Sequence, residues 1–195
     1  MFIIWLASSF ATYTQWLVCP FWMTGGLIGY CNFTKIVFNN TNITATLTSA
    51  NSTYYAGVFG ETDNSSIISN TSVISVTFGG DASLMKMGFI GYVLGTTVNV
   101  ANWTCTAVIN MGTHVGLIAR IEENFTTFTN VSLAGTENIS STTKYNVGGL
   151  SGYVYNKATI TISTLNVSMN FVAGAYQTGL IGFMSYNCTV TMLAL

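Results

Sequence analysis

Short stretches in which apolar residues alternate with Thr or Ser recur along the whole chain. Six of them lie at similar intervals, at 34–38, 65–69, 96–100, 124–128, 159–163 and 188–192. Such two-residue alternation is typical of a β-strand that buries one face and exposes the other. A second alternating stretch follows several of them, as in ITATLT (43–48) and VISVTF (73–78). The pattern therefore predicts an all-β protein built from many short strands.

A glycine motif precedes each alternating stretch and occurs six times. It reads Gly–apolar–x–Gly/Ala, and its copies begin 28 to 33 residues apart. Its glycines are Gly26, Gly29, Gly57, Gly60, Gly88, Gly91, Gly116, Gly149, Gly152, Gly179 and Gly182. Strands rather than a helix follow each copy, so a phosphate-binding loop is disfavoured. We interpret the glycines as positions where one repeat turns or closely approaches its neighbour.

A repeat of about 30 residues with three short strands indicates a β-solenoid, that is, a parallel β-helix. One coil cannot bury its apolar face alone, whereas stacked coils share a continuous core. We predict about six coils over residues 24–195, and a degenerate first coil or a signal-like segment over residues 1–23. The fourth copy, GLIARIEEN (116–124), has Ala119 as its second small residue and carries charges, so we expect a bulged or exposed coil there.

Two stretches carry a resemblance to a known family. VGGLSGYVYNKATITISTLNVS (147–168) and MGFIGYVLGTTVNVANWTC (87–105) resemble GLUG-repeat proteins, which are named for a glycine–leucine–apolar–glycine motif. The resemblance covers about residues 24–191. It implies a β-solenoid of the kind found in secreted or surface-attached, adhesin-like proteins, many of which have no known activity.

The composition excludes several classes of partner. Only 6% of the residues are charged while 50% are hydrophobic, against about 25% charged residues in ordinary soluble domains. Five basic and six acidic residues nearly cancel, so the chain lacks the basic surface that nucleic acids require. No apolar run reaches the ~20 residues of a spanning helix. We therefore expect no nucleic-acid partner and no membrane-spanning helix.

Asparagines occupy two kinds of position. Asn70, Asn102 and Asn130 lie 13 or 14 residues after their glycines, so we predict a shared corner where stacked amides form a ladder. The chain also has twelve Asn-X-Ser/Thr sequons, an excess that favours a secreted, glycosylated surface. The candidate glycosylation sites are Asn32, Asn51, Asn64, Asn124, Asn138 and Asn187.

Residues suited to catalysis or metal binding are few. His114 is the only histidine, and we expect it in a loop before a strand. Cys19, Cys31, Cys105 and Cys188 lie at different phases of the repeat and lack metal-binding spacing. We therefore predict free buried thiols, no metal site, no cofactor and no catalytic activity.

Two alternative functions stay open on the sequence. Asp63 and Glu122 share a phase two coils apart, or about 9.6 Å, close to the ~6.5–9.5 Å carboxylate separation of inverting glycosidases. This spacing would suit a glycan-cleaving β-helix enzyme. Threonines on a flat face would suit an ice-binding solenoid. We assign different phases to three threonine pairs, which disfavours one regular array: Thr44 with Thr46, Thr104 with Thr106, and Thr159 with Thr161.

The sequence as a whole favours an extracellular or cell-surface module with a structural or adhesive role. Its ligand class would be a glycan or a host surface. The last stretch, CTVTMLAL (188–195), continues a strand pattern without a polar cap, and solenoid ends are edges that pair readily. We therefore expect self-association through the solenoid ends, or flanking repeats of a longer chain.

Overall fold

A computed structural model describes the chain in eight ranges: 2–7, 10–14, 23–49, 55–80, 86–109, 113–138, 146–172 and 177–193. Within these ranges every regular element is a β-strand, and the paired strands run parallel. The predicted all-β class and β-solenoid architecture are confirmed.

The described ranges hold eighteen strands. They are β1 (Phe2–Ala7), β2 (Phe10–Thr14), β3 (Met23–Asn32), β4 (Thr34–Asn39), β5 (Asn42–Ser49), β6 (Tyr55–Asp63), β7 (Ser66–Gly80), β8 (Lys86–Met87), β9 (Ile90–Leu94), β10 (Thr97–Ile109), β11 (His114–Val115), β12 (Ile118–Glu122), β13 (Phe125–Asn138), β14 (Asn146–Tyr155), β15 (Thr159–Ile162), β16 (Leu165–Val172), β17 (Gln177–Met184) and β18 (Thr189–Met192).

These strands stack in two sheets. The glycine sheet contains the glycine motifs, and its rungs are β3, β6, β8 with β9, β11 with β12, β14 and β17. The second sheet is built on the path β1, β4, β7, β10, β13, β15 and β18, with β2, β5 and β16 beside it. Each coil passes along the glycine sheet, turns a corner, and returns through the second sheet.

The coils that begin with β3 and β14 have the three predicted strands, whereas the coils between them join the last two into β7, β10 and β13. One residue in the left-handed conformation bends β7, β10 and β13 near their centres: Thr71, Asn102 and Asn130 have φ of 53°, 53° and 50°. A bend of one residue leaves the neighbouring backbone groups paired, as in the bond from Asn40 N to Asn70 O at 3.0 Å. The corner therefore lies inside a continuous strand.

The predicted count of six coils differs slightly from the structure, which has about four turns. Each copy of the glycine motif marks one strand of the glycine sheet, so six copies give six rungs of that sheet and not six closed turns. Within the described ranges, the rungs β6, β9, β12 and β14 of the glycine sheet are paired on both sides, whereas β3 and β17 are paired on one side.

A doubled glycine shifts the register in two coils. Gly25 rather than Gly26 pairs with Gly57, and Gly148 rather than Gly149 pairs with Gly179. In both coils one extra residue is accommodated before the strands realign. The Gly-Gly pairs of "GGLIG" and "GGLSG" thus mark irregularities of the strand, which glycine tolerates because it lacks a Cβ.

The fourth coil is regular, although we expected a bulge or exposure there. Strand β12 pairs with β9 and β14 without a shift, and Ala119 is fully buried. The single methyl group of alanine is accommodated at this position, while Ile118 and Ile121 of the same strand are buried in the core.

The core is a column of apolar side chains between the two sheets. One part of it is aromatic: Phe38, Phe59, Phe89 and Trp103 are buried, with ring centroids 5.2 Å apart for Phe89–Trp103 and 5.4 Å for Phe59–Phe89. Trp103 Nε1 donates to Ser69 Oγ at 2.8 Å. A buried indole therefore keeps its hydrogen bond.

The segment expected to be a degenerate first coil or a signal-like sequence contributes two described strands. Strand β1 pairs with β4 from Phe2–Thr34 to Ala7–Asn39, and β2 pairs with β5 from Phe10 to Thr14. These residues extend the second sheet by one rung.

Replacing Gly57 by alanine is expected to destabilise the solenoid by about 1–3 kcal/mol, the range for overpacking. A Cβ at this position would lie 2.6 Å from the carbonyl oxygens of Gly88 and Phe59. Gly179→Ala is the matched control, because its Cβ would meet nothing closer than 3.4 Å, at Ile181 O. Urea unfolding measures both variants. An equal loss of stability in both would contradict the close approach of the coils at Gly57.

Candidate functional site

The outer face of the glycine sheet carries two columns of aligned side chains. The first column is Tyr30, Glu61, Tyr92, Arg120, Tyr153 and Phe183. The second, two residues further along each strand, is Asn32, Asp63, Leu94, Glu122 and Tyr155. We call these residues the aromatic–charged face.

Strand alternation explains why these side chains share one face. The residues between the two columns, Thr62, Val93, Ile121 and Val154, are fully buried, and successive side chains of a strand point to opposite sides. The first column is the position directly after the glycine motif, which the sequence shows to be aromatic in Tyr30, Tyr92, Tyr153 and Phe183. Four of the chain's eleven charged residues (five basic plus six acidic) lie in these columns.

Arg120 is held at the centre of the face. Its guanidinium carbon lies 5.0 Å from the ring centroid of Tyr92 and 5.5 Å from that of Tyr153. Its Nη2 donates to Glu122 Oε2 at 2.8 Å, and the Tyr92 hydroxyl donates to the same oxygen at 2.8 Å. Two aromatic rings and one carboxylate therefore fix a cation in place, by cation–π attraction and charge-assisted hydrogen bonds.

The aromatic stack continues toward the last described coils. The Tyr153 ring stacks on Phe183 at 5.0 Å, with an interplanar angle of 16°. Tyr155 packs against Tyr186 at 4.7 Å. Burial raises the pKa of Tyr153 above its ordinary value, and the charge of Arg120 opposes that increase. The phenol therefore stays protonated at neutral pH and keeps its hydrogen-bond donor.

Two carboxylates lie at the other end of the face. Glu61 and Asp63 occupy the two columns on β6, next to Tyr30 and Asn32 of the preceding coil. Burial raises the pKa of the Glu61 carboxyl above its ordinary value, the charge of Asp63 raises it further, and Arg120 opposes both. Partial burial also raises the pKa of Tyr30, and the charges of Asp63 and Glu61 add to the increase. These groups thus lie within one another's electrostatic field.

His114 lies beside this face. It is the first residue of the two-residue strand β11, so the prediction that it lies in a loop before a strand is wrong. It aligns with Lys86 and Asn146 in neighbouring coils. Its ring centroid is 4.6 Å from that of Tyr153, and its Nδ1 is 3.2 Å from Asn146 Nδ2.

The carboxylates of the enzyme alternative share a column, with Leu94 between them. They have different partners. Glu122 accepts hydrogen bonds from Arg120 and Tyr92, and Asp63 accepts one from Asn64 Nδ2 at 2.9 Å. Among the described residues, no three His, Cys, Asp or Glu side chains are grouped closely enough to hold a metal ion.

The second corner of four successive coils, at which β4 ends and β7, β10 and β13 bend, carries a ladder of asparagine amides. Asn102 Nδ2 donates to Asn70 Oδ1 at 2.8 Å, and Asn130 Nδ2 donates to Asn102 Oδ1 at 2.7 Å. Asn39 begins the ladder by accepting the backbone N–H of Asn70 at 2.9 Å. All four side chains are exposed. Our sequence reasoning missed Asn39, although its offset of 13 residues from Gly26 equals that of Asn70 from Gly57.

A second side-chain ladder, which was not predicted, lies at the first corner of the coils, just after strands β3, β6 and β9 of the glycine sheet end. Thr34, Ser65 and Thr96 are buried there, and each hydroxyl donates to the carbonyl two residues earlier. The N–H of Thr34 donates to Ser65 Oγ, and the N–H of Ser65 to Thr96 Oγ1, both at 3.1 Å. Small hydroxyl residues at a constant distance after the glycine motif are the signal that could have shown it.

The candidate glycosylation sites differ in accessibility. Asn32, Asn64 and Asn187 are exposed, whereas Asn124 is 1% exposed and its Oδ1 accepts a hydrogen bond from Thr126. The folded chain therefore does not present the Asn124 amide to solvent. Asn138 ends β13, and Asn51 lies outside the described residues.

The described cysteines are free. Cys31 and Cys105 are buried, as predicted, and Cys188 is half-buried. Burial raises the pKa of Cys105 to about 12, so its thiol stays protonated and unreactive. Cys188 Sγ donates to the Ser185 carbonyl at 2.8 Å. Cys19 lies outside the described residues.

The three threonine pairs of the second sheet lie at different phases, as we assigned, although two of the pairs share one column. Thr44 and Thr106 align in one column with Ser75 between them. Thr159 and Thr161 align with Thr189 and Thr191 of the next coil. The columns are nevertheless interrupted: Phe125 occupies the position next to Thr159, and its side chain is exposed.

Asn102→Asp tests the amide ladder. The substitution keeps the shape and the tolerance of positive φ, but replaces the donor to Asn70 Oδ1 by a carboxylate oxygen. We expect a loss of about 1 kcal/mol at pH 7. Because a protonated carboxyl can donate again, part of the loss should be regained near pH 3, measured by urea unfolding relative to the wild type.

Asn99→Asp is the control for that experiment. Asn99 is exposed on the same strand, and no hydrogen bond of its side chain is recorded in the described part. It should lose little stability at either pH. Equal losses for the two variants, or a loss in Asn102→Asp that does not change with pH, would contradict the ladder.

No helix that could cross a membrane occurs in the part of the chain that the structure describes. Comparison with protein-family models, with curated proteins and with solved structures finds no match to this chain.

Proposed function

We propose that this chain is a non-catalytic structural or adhesive module of the cell surface or the extracellular space. The observation that carries the proposal is the aromatic–charged face, on which aromatic and charged side chains of successive coils lie in register. Such a surface can contact an extended ligand at several points along the stack. The ligand class we propose is a glycan or a host surface.

The use of the charged residues supports binding rather than catalysis. General acid–base catalysis needs titratable groups that converge on one reacting atom. Glu122 instead forms an ion pair with Arg120 and accepts a hydrogen bond from Tyr92. Glu122 thus takes part in building the surface.

Surface chemistry and resemblance support the extracellular part of the proposal. The sequons at Asn32, Asn64 and Asn187 lie on exposed corners or strand ends. The motif resemblance to GLUG-repeat proteins also implies secreted or surface-attached relatives. Both arguments lead to the same location.

Antibody staining of the source organism tests the location. Antibodies raised against the purified chain should stain intact cells as strongly as permeabilised cells. An antibody against a cytoplasmic protein is the control and should stain permeabilised cells alone. Staining that requires permeabilisation would contradict the proposal.

The proposal includes self-association through the solenoid ends, unless flanking repeats of a longer chain cover them. Strands β17 and β18 are each paired on one side within the described ranges, and Met184 and Met192 are exposed there. Unpaired backbone groups of such a rung can pair with another copy. Light scattering of the purified chain should show a mass that rises with concentration. A constant monomer mass at high concentration would contradict end-to-end assembly.

A further inference from the structure

Two exposed aromatic side chains lie beside the unpaired carboxylates of the aromatic–charged face. Tyr30 is 48% exposed and Phe33 is 69% exposed. Phe33 occupies the first corner with φ of 49°, where the next coils have Asn64 and Gly95. Asparagine and glycine tolerate this conformation, whereas a bulky residue there is unusual. Phe33 thus adopts an unfavourable conformation without the gain of burial.

The negative charges of the two carboxylates next to these rings are not balanced by an ion pair within the described residues. Glu61 and Asp63 lie on the adjacent strand, and the N–H of Phe33 donates to the Asp63 carbonyl at 3.2 Å. Among the described residues the recorded ion pair is Arg120–Glu122, two coils away from Asp63. Neither Glu61 nor Asp63 forms an ion pair within that part of the chain.

The same face shows what kind of group such an arrangement holds. Arg120 lies in the same column as Glu61, two coils away, and Glu122 lies in the same column as Asp63. The Arg120 guanidinium lies between the rings of Tyr92 and Tyr153 and donates a hydrogen bond to the Glu122 carboxylate. Around Glu61 the tyrosine positions are again filled, by Tyr30 and Tyr92. In this coil the residue between the two rings is an acid, and the coil supplies no cation of its own at that position.

We propose that the surface formed by Tyr30, Asn32, Phe33, Glu61 and Asp63 binds an exposed arginine side chain of a partner protein. The inference rests on the proposed function, because a surface module needs a partner. We call this surface the arginine patch.

Charge and shape complementarity select arginine. The guanidinium is planar, stacks on aromatic rings and presents several donors to carboxylates at once, whereas an ammonium is a point charge. Glu61 and Asp63 supply the acceptors, and Tyr30 and Phe33 supply the rings. A neutral or acidic partner would leave both carboxylates without a counter-charge.

Titration with acetyl-Gly-Arg-Gly-amide tests the patch. Amide shifts of the ¹⁵N-labelled chain should change saturably and be centred on residues 30–33 and 61–64. The peptide with citrulline in place of arginine has the same shape without the charge and should bind at least about tenfold more weakly, which corresponds to the loss of one charge-assisted hydrogen bond.

Variants distinguish specific binding at the arginine patch from nonspecific attraction of the positively charged peptide to any carboxylate. Glu61→Gln should weaken binding about tenfold, and Tyr30→Leu should weaken it as well. Glu123→Gln is the matched control, because Glu123 is an exposed carboxylate at a corner of another coil, bonded to Asn156 Nδ2. It should bind the peptide as the wild type does. The spectrum of each free variant shows whether it is folded.

Equal binding of the citrulline peptide, equal weakening in Glu61→Gln and Glu123→Gln, or shifts spread over the whole surface would overturn the inference. The outcome is independent of the staining experiment. A surface-located chain without arginine binding would overturn the patch alone, and an arginine-binding chain inside the cell would overturn the proposed function alone.

Discussion

In-register stacking of parallel strands is the constraint on which this structure depends. Successive coils are about 4.8 Å apart, so each side chain lies directly over its equivalent in the next coil. Inner columns can therefore be filled by apolar side chains, while a glycine such as Gly57 is required where the backbones of two coils approach. Corners need residues that accept positive φ, which explains the asparagines at Asn40, Asn64, Asn102 and Asn130.

The same constraint shapes the outer surface. Like charges stacked on adjacent rungs would repel one another. In the second column of the glycine sheet, Leu94 separates the like-charged Asp63 and Glu122, and in the first column Tyr92 lies between Glu61 and Arg120. A protein with few charges thus places some of them on one face, between aromatic rings. A regular scaffold in this way yields a surface with specific chemistry.

Much of the architecture could be predicted from the sequence, because alternation and the glycine repeat report local backbone geometry. The phase of Asn70, Asn102 and Asn130 placed them at one corner for the same reason. The shift at Gly148 could not be predicted, since it depends on how the chain realigns with the neighbouring coil. The contacts of Arg120 with Tyr92 and Tyr153, and the bond from the N–H of Thr159 to the carbonyl of buried Asn124, likewise join residues about 30 positions apart in the sequence.

Distances between spin labels along one column test the stack most directly. Residues 35, 66, 97, 125, 159 and 189 align in successive coils. Labels on unnatural amino acids at positions 35 and 159 should be about 19 Å apart, and at 35 and 189 about 24 Å, an increase of one rung. Values that do not increase with the number of rungs between the labels would contradict the parallel solenoid.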